Sequence, residues 1–203
     1  MAKWHGYGRC KTRLSRDIGK SNSAKVQSIM PKHTISVAKY IQKSELVDIS
    51  MAISGLGKKN CRRWSRELGI KNFNLQGKGC LGEKMKRQII INKKFCNQNK
   101  INNIIFIGTD LPDLCHLDLL NTIRELKQND LILGPSNDGG YWLIGLSDKI
   151  ISKYLHLPFI NIEWSQKNVL KKTIDNFAST KFQYKFLNEK IDIDTIIDIE
   201  NRK

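Results

Sequence analysis

An aspartate follows a nearly all-apolar segment of the chain. Residues 103–108 read NIIFIG, and Thr109, Asp110, Leu111 and Pro112 come next. A run of this kind predicts a strand that is buried on both faces of a parallel sheet. Asp110 would then lie at the carboxyl end of a strand, where α/β sheets bind their ligands. Carboxylates hold Mg²⁺ or Mn²⁺ together with substrate phosphates, so Asp110 is a candidate metal ligand and catalytic residue. The alternative is that it caps the helix after Pro112.

Two more aspartates, Asp192 and Asp194, lie near the end of the sequence in the segment DIDT. Alternate side chains of an extended segment point the same way, so both carboxylates could complete a metal site with Asp110. The alternative is again a helix cap, because Asp194 precedes a predicted helix over residues 195–201.

Three cations stand close to a glycine near the N-terminus. Residues 8–14 read GRCKTRL and contain Gly8, Arg9, Lys11 and Arg13. A loop of alternating cations before a helix can neutralise a polyphosphate, since Arg gives bidentate contacts and Lys a point charge. The loop is not a Walker A sequence, because GxxxxGK[ST] is absent. A basic surface loop is the alternative.

Asp138 stands in the glycine-rich segment GPSNDGGYW, residues 134–142. The double glycine allows the backbone to approach a ligand closely. Asp138 and the aromatic residues could line an acceptor pocket, which makes Asp138 a candidate catalytic base. A plain tight turn is the alternative. The four histidines show no metal-binding spacing.

Strands and helices alternate in the pattern that would position these residues. Apolar and β-branched runs predict strands at residues 47–54, 73–76, 103–108, 130–134, 141–146 and 182–187. Helical spacing of apolar residues predicts helices at residues 58–68, 83–97, 117–127 and 165–177. Residues 21–43 are also helical in pattern, but Pro31 predicts two pieces or one bent helix. The alternation predicts an α/β fold, a Rossmann-like, mostly parallel sheet with helices on both faces, in one domain over residues 1–203.

The composition is that of a globular protein, with 40% hydrophobic and 27% charged residues. No apolar run reaches the roughly 20 residues that span a bilayer. The N-terminus has no apolar core of the signal-peptide kind, so we expect a cytoplasmic protein. The five cysteines lack CxxC spacing, which predicts free thiols.

The net charge of +16 raises the possibility of a nucleic-acid partner. The cations are mostly Lys and are dispersed, with no block of five or six. This distribution favours a solvated basic surface, with which an anionic small-molecule substrate is compatible, and we expect no nucleic-acid partner.

Several segments together resemble one family over nearly the whole chain. They are GRCKTRL, LGEKM, IGTDLPDL, LGPSNDGGYWLIGL, Trp164-Ser165 before a helix, and DIDT. The family is one of bacterial glycosyltransferase-like proteins in the nucleotide-diphospho-sugar transferase superfamily; some members are named for arsenosugar biosynthesis or described beside radical-SAM or selenium-associated genes. The resemblance implies a GT-A-like fold. Relatives begin with an apolar strand that leads into the phosphate loop, but only residues 1–4 precede that loop here, so we expect a mostly missing first strand.

The resemblance also implies roles for individual residues. Similar folds occur in phospholactate or phosphoenolpyruvate guanylyltransferases and in molybdenum-cofactor guanylyltransferases. By motif, the phosphates would contact the loop of Gly8, Arg9, Lys11 and Arg13. Mg²⁺ or Mn²⁺ would be held by Asp110, Asp192 and Asp194. The nucleoside would lie beside Gln76, Gly77 and Gly82.

Two enzymatic functions are compatible with these residues. The first is glycosyl transfer from a nucleotide sugar to a small-molecule acceptor, which releases a nucleoside diphosphate. The second is nucleotidyl transfer, in which an acceptor phosphate or carboxylate attacks a nucleoside triphosphate and pyrophosphate leaves. A basic nucleic-acid-binding protein and an inactive relative of the enzymes are the other interpretations.

Overall fold

The chain forms two compact units, each built from separated segments. The structure, a computed structural model, describes residues 1–95 and 103–200. The first unit comprises Met1–Leu75, Gly108–Leu119 and Ile191–Lys203, and the second comprises Gln76–Ile107 and Leu120–Lys190. Each unit contains one sheet. The prediction of one domain over residues 1–203 stays a prediction.

Strands and helices alternate along the described residues. The strands are β1 (Ala2–Lys3), β2 (Ser50–Ser54), β3 (Asn72–Leu75), β4 (Asn103–Ile107), β5 (Leu131–Pro135), β6 (Tyr141–Ser147) and β7 (Tyr184–Phe186). The helices are α1 (Leu14–Ser44), α2 (Lys58–Glu67), α3 (Leu81–Phe95), α4 (His116–Glu125), α5 (Asp148–Lys153), α6 (Val169–Asp175) and α7 (Ile196–Glu200). A 3₁₀ turn at Leu157–Phe159 precedes α6. The α/β prediction is confirmed; the predicted ends of two helices, at residues 96–97 and 201, lie outside the described residues.

The sheet of the first unit is parallel throughout and has the order β1-β2-β3. Its first strand is only two residues long, with Ala2 opposite Ile53 and Lys3 opposite Ser54. Ala2 and Ile53 are both buried, in a cluster that includes Trp64 from α2. The short β1 is therefore packed in the core of the first unit, and the basic loop follows it along the chain.

Helix α1 is interrupted at Gly19 and not at Pro31. Gly19 has φ of 78° and ψ of 160°, a conformation outside the helical region. Glycine adopts positive φ without the steric cost of a Cβ, so the chain turns there most easily. Pro31 lies inside the helix and is buried. Of the two alternatives expected for residues 21–43, two separate pieces are thus corrected to one continuous helix, and the interruption lies at Gly19, close to the basic loop.

The sheet of the second unit has the order β4-β6-β5-β7 and mixes directions. Strand β6 pairs antiparallel with β4 and with β5, whereas β7 pairs parallel with β5. Strand β5 is buried, as its apolar run predicts. Strand β4 is only half-buried, which corrects the prediction that its apolar run is buried on both faces of a parallel sheet. Its described partner is an antiparallel neighbour, and antiparallel pairs tolerate an open face.

No helix in the described residues is long and apolar enough to cross a membrane. Cys10, Cys61, Cys80 and Cys115 are free thiols. Cys96 lies outside the described residues. Cys10 and Cys61 are fully buried, so they act as small apolar side chains of the core.

His5 leads from β1 toward the basic loop and packs on aromatic rings. Its ring lies 3.8 Å from that of Trp4 and 5.9 Å from that of Trp64, measured between centroids. Burial lowers the pKa of His5, the nearby Lys32 lowers it further, and Glu67 opposes them. His5 is therefore neutral in the folded chain near pH 7.

We expect His5 to make the fold sensitive to mild acid. The unfolded chain binds a proton at His5 near pH 6.5, whereas the folded chain resists it to lower pH. The unfolded state then holds more protons, so the free energy of unfolding falls as the pH drops below about 6.5. Urea unfolding of the unaltered chain and of His5→Gln at about pH 7.5 and about pH 5.5 tests this. The free energy of unfolding of the unaltered chain should exceed that of His5→Gln by less at the lower pH than at the higher pH, or should fall below it. A difference that does not change with pH would contradict the expectation.

Candidate functional site

The basic loop between β1 and α1 holds Lys11 in a rare backbone conformation. Lys11 has φ of 43°, and Gly8 has φ of 67°. Left-handed backbone costs a non-glycine residue roughly 1–2 kcal/mol. The amide of Arg9 donates to Gly6 O at 2.9 Å and the amide of Ser15 donates to Lys11 O at 2.8 Å, which closes the loop at both ends. Such strain concentrates at functional sites, so the conformation of Lys11 points to a role for its side chain.

The side chain of Lys11 is buried and reaches two distant segments of the first unit. It is 2% exposed, and its Nζ lies 3.0 Å from Oδ1 of Asp110. The same Nζ donates to the carbonyl oxygen of Ile193 at 2.6 Å. A buried ammonium requires such partners, because losing water without replacement costs several kcal/mol. Lys11 thus joins the basic loop to the segments that carry Asp110 and Asp192–Asp194.

Asp110 is connected to the C-terminal aspartates through the backbone. The amide of Ile193, which lies between Asp192 and Asp194, donates to Asp110 O at 3.1 Å. The side chain of Asp110 is 38% exposed. Helix α4 begins later, and Asp118 caps its first turn by accepting from the Cys115 amide at 2.8 Å. Asp110 therefore does not cap helix α4.

Asp194 does not cap helix α7 with its side chain. Oδ2 of Asp198 accepts from the amides of Asp194 and Thr195, at 2.9 and 2.7 Å, and from the Thr195 hydroxyl at 2.9 Å. The first turn of α7 is therefore held by Asp198. The carboxylate of Asp194 instead pairs with Arg13 Nη1 at 3.4 Å, with both side chains exposed.

Carboxylate oxygens are suitable ligands for a hard divalent cation. In the structure, Asp110 pairs with Lys11 and Asp194 pairs with Arg13. In residues 1–95 and 103–200, no group of three or more His, Cys, Asp or Glu side chains is arranged as a metal site. Oδ1 of Asp110 is buried, and its partner is the ammonium of Lys11 at 3.0 Å. Oxygen ligands of this kind fit Mg²⁺ or Mn²⁺. A divalent ion could therefore take the place of Lys11 at the buried oxygen of Asp110.

Two other titratable groups near Lys11 and Asp110 are neutral around pH 7. Burial lowers the pKa of the Met1 amino group to about 6, and the Asp110 charge partly offsets this. Burial raises the pKa of the Cys10 thiol, which donates to Gly6 O at 3.5 Å. The Lys11 ammonium is therefore the charged group that faces Asp110 from the basic loop.

The residues predicted to lie beside a nucleoside belong to the second unit. Gln76 is buried, and Gly77 has φ of 73°. Gly82, in the first turn of α3, is covered by the indole of Trp164. A Cβ built on Gly82 would lie 2.7 Å from that ring, so a side chain there would displace Trp164.

Arg87 on α3 is a residue that the sequence prediction missed. Its guanidinium donates to Gln76 O through Nη1 and to Lys78 O through Nη2, the latter at 2.9 Å. The sequence contains one indication of a shared role, because Arg87 follows Glu83 by four residues and lies on the same face of the helix. Only the fold reveals that this face meets the loop before α3.

Asp138, also in the second unit, closes its own turn. Its Oδ1 accepts from the Ser136 hydroxyl at 2.6 Å and from the Gly140 amide at 3.0 Å. The Ser136 amide donates to Gly140 O at 3.1 Å. These bonds favour the turn interpretation for this oxygen, and the catalytic role of Asp138 stays a prediction.

Gly139 in this turn should not tolerate a side chain. It has φ of 84°, and a Cβ would overlap the carbonyl oxygen of Lys167. We expect Gly139→Ala to lower the free energy of unfolding by about 2–4 kcal/mol, from the positive φ and the backbone clash together. Gly19→Ala is the matched control, because Gly19 has φ of 78° and no atom within 4 Å of a built Cβ. Urea denaturation should show a smaller loss for that control, roughly 1–3 kcal/mol, from backbone strain alone; equal losses would contradict the clash.

Several solved structures share this fold. A structure described as a "putative nucleotide-diphospho-sugar transferase" from Desulfovibrio desulfuricans G20 is 24% identical, with a TM-score of 0.80 over 98% of this chain and 81% of that one. The 4-diphosphocytidyl-2C-methyl-D-erythritol synthase of Anaerococcus prevotii DSM 20548 is 12% identical, with a TM-score of 0.57 over 98% and 93%. A homolog of Mycobacterium tuberculosis rv0371c from Mycobacterium sp. strain JC1 is also 12% identical, with a TM-score of 0.54 over 99% and 92%. At these identities the likeness shows the fold, which is that of the nucleotide-diphospho-sugar transferases and related GT-A-like proteins.

No curated protein matches the chain significantly. One family profile does, over residues 37–166, which is more than half of the 203 residues. The matched span contains Gln76, Asp110 and Asp138 but neither the basic loop nor Asp192 and Asp194. The chain belongs to this family, DUF2064, whose description is "Uncharacterized protein conserved in bacteria".

Proposed function

We propose that the protein is a metal-dependent glycosyltransferase that uses a nucleotide-activated sugar as donor. The observation that carries this proposal is the buried contact of Lys11 with Asp110 and Ile193 O, in a chain with the nucleotide-diphospho-sugar transferase fold. A fixed cation beside a carboxylate, on a loop held in strained backbone, suits the binding of a diphosphate and its metal ion. The narrower kinship with glycosyltransferase-like proteins named for arsenosugar biosynthesis is part of the same proposal.

The basic loop would bind the diphosphate of the donor. Lys11 provides a fixed point charge and Arg13, which is 72% exposed at its side chain, provides a mobile bidentate donor. Arg9 is exposed on the same loop, and the positive φ of Gly8 shapes the turn next to it. As the sugar–oxygen bond breaks, negative charge grows on the diphosphate, and these cations stabilise it.

Asp110, Asp192 and Asp194 would hold Mg²⁺ or Mn²⁺ in this proposal. When bound, the ion supplies Lewis-acid stabilisation of the diphosphate leaving group. The backbone bond from Ile193 to Asp110 keeps the three carboxylate-bearing positions together. Asp110 contributes the buried Oδ1 that Lys11 contacts in the structure.

The cations and carboxylates of this site pair with each other in the ligand-free chain. Lys11 contacts Asp110 and Arg13 contacts Asp194. A bound phosphate would draw Lys11 and Arg13 away and leave the two carboxylates available to a metal ion. Binding of the phosphate and of the metal should therefore be cooperative, because each releases the partners of the other.

The nucleoside and the acceptor would contact residues of the second unit. Gln76, Gly77 and Gly82 are proposed for the nucleoside, and Asp138 is proposed as the base that takes the proton of an acceptor hydroxyl. The second carboxylate oxygen of Asp138 would serve, since Oδ1 accepts two hydrogen bonds in its turn. The acceptor would be a small molecule.

Nucleotidyl transfer is the second candidate, and one observation favours it. The synthase from Anaerococcus prevotii carries a diphosphocytidyl product in its name and shares the fold. The same loop and carboxylates would then act on a nucleoside triphosphate. Product analysis separates the two: release of a nucleoside diphosphate from a nucleotide sugar supports glycosyl transfer, and release of pyrophosphate from a triphosphate supports nucleotidyl transfer. Neither product, across donors and small acceptors with Mg²⁺ or Mn²⁺, would contradict both.

A further inference from the structure

The loop that joins β3 to α3 has a composition typical of a flexible segment. It reads Gln76-Gly77-Lys78-Gly79-Cys80, and residues 77–80 are exposed. Gly77 and Gly79 have φ of 73° and 105°, values that side-chain-bearing residues rarely adopt. Ordering a loop of this kind costs conformational entropy, since each fixed residue loses roughly 1–2 kcal/mol. Other contacts must therefore offset the entropy cost of holding the loop in one conformation.

Arg87 of α3 holds the first half of the loop. Its guanidinium donates to the carbonyls of Gln76 and Lys78, on either side of Gly77. A Cβ on Gly77 would lie 2.8 Å from Arg87 Nη1. The guanidinium thus packs on the glycine while it binds both neighbouring carbonyls, a two-point contact that a Lys cannot reproduce.

Glu83 of α3 holds the second half. Its Oε2 accepts from the Cys80 amide at 2.8 Å, in the manner of a capping box. A Cβ on Gly79 would overlap the same carboxylate. The exposed loop is therefore fixed from one side by two charged side chains of one helix, and its other side faces solvent.

We infer that Arg87 is a positioning residue that gives the Gln76–Cys80 loop the shape with which it discriminates among nucleoside bases. The inference rests on the proposed function, which places the nucleoside beside Gln76 and Gly77. A preformed polar loop binds without a further ordering cost, and its fixed amides and carbonyls match one pattern of base donors and acceptors better than others. Arg87 acts through the loop and does not itself contact the nucleotide.

Calorimetry with Mg²⁺ tests this inference. The probes are GDP, ADP, CDP and UDP, the nucleoside diphosphates that glycosyl transfer would release, with pyrophosphate as the probe that lacks a base. The chains are the unaltered protein, Arg87→Met, Arg87→Lys and the control Arg63→Met. Arg63 is 83% exposed on α2 and pairs with Glu67, so its replacement removes the same charge from a surface pair.

We expect Arg87→Met to raise the dissociation constant of the preferred nucleotide about tenfold, since two charge-assisted hydrogen bonds to the loop are lost. Its preference among the bases should nearly vanish, while its pyrophosphate affinity should stay within about twofold. Arg87→Lys, which keeps one donor, should be intermediate, and Arg63→Met should match the unaltered chain. Arg87→Lys, which keeps the charge, carries the test where Arg87→Met fails to fold.

Three results would overturn this inference and leave the proposed function unaffected. They are an unchanged base preference in Arg87→Met, a parallel loss of nucleotide and pyrophosphate affinity with a lowered melting temperature, and equal binding of all four bases by the unaltered chain. Failure of the unaltered chain to bind any of the five probes overturns the proposed function, and this inference with it.

Discussion

Replacing Lys11 by Met should weaken the binding of pyrophosphate and of a nucleotide's diphosphate group by about 100-fold. The estimate follows from the cost of truncating one partner of a buried, hydrogen-bonded charge pair, roughly 2–5 kcal/mol. Lys11 is 2% exposed at its side chain, and in the proposal a phosphate replaces Asp110 as the anionic partner of its buried Nζ. Calorimetry with pyrophosphate and Mg²⁺ measures the loss.

The control for Lys11→Met is Lys58→Met. Lys58 is the first residue of α2 and is exposed, so the same substitution there removes one positive charge without touching the basic loop. Its affinity for pyrophosphate should stay within about twofold of the unaltered chain, because isolated surface charges contribute little. Equal losses in the two variants would mean that the net charge of +16 attracts the anion, without a specific role for Lys11.

Asp110→Asn should abolish the dependence of nucleotide binding on a divalent cation. The unaltered chain should bind a nucleotide sugar or triphosphate more tightly with Mg²⁺ than with a chelator, and in the variant that ratio should fall to about one. Metal-free pyrophosphate should bind as well or better, because Lys11 no longer pairs with a carboxylate. The substitution keeps the shape of the side chain, so the thermal unfolding transition should remain cooperative.

Asp113→Asn provides the comparison within the same loop. Asp113 is exposed and is not among the proposed metal ligands, so this change removes one negative charge and should leave the metal dependence intact. A Mg²⁺ dependence that survives in Asp110→Asn would remove Asp110 from the metal site. Loss of the dependence in both variants would point to the general electrostatics of the loop.

Local pattern predicts most of the strands and helices in their order, but it misses α5 and does not give the pairing of the strands. The apolar runs of β5 and β6 lie where periodicity predicts, because burial selects apolar residues. Strands β5 and β6 pair across the short turn at residues 136–140, whereas the pairing of β6 with β4 and of β5 with β7 joins segments farther apart in sequence, which a short run does not encode. Gly19 shows a related limit: propensity directs attention to Pro31, yet the glycine takes the positive φ that ends the first turns of α1.

The candidate site could be predicted as residue types but not as contacts. Lys11, Arg13, Asp110 and Asp194 were identified from motif and spacing. Their pairing with each other depends on segments that are far apart in sequence, since Lys11 and Ile193 are 182 residues apart. The turn bonds of Asp138 and the contact of Arg87 with Gln76 O are side-chain geometry, which only the folded chain supplies.

The most direct test of the central proposal is thermal and chemical unfolding of the unaltered chain and Lys11→Met, with nucleotide sugars and nucleoside triphosphates, each with and without Mg²⁺ or Mn²⁺. A ligand at 100 times its dissociation constant adds about 2.7 kcal/mol to the free energy of unfolding. We predict stabilisation of about this size for the unaltered chain with a nucleotide sugar and a divalent cation, and little without the cation or in Lys11→Met. Stabilisation by triphosphates alone would shift the assignment to nucleotidyl transfer. No stabilisation by any nucleotide with either cation, or equal stabilisation of Lys11→Met, would contradict the nucleotide site built on Lys11 and Asp110.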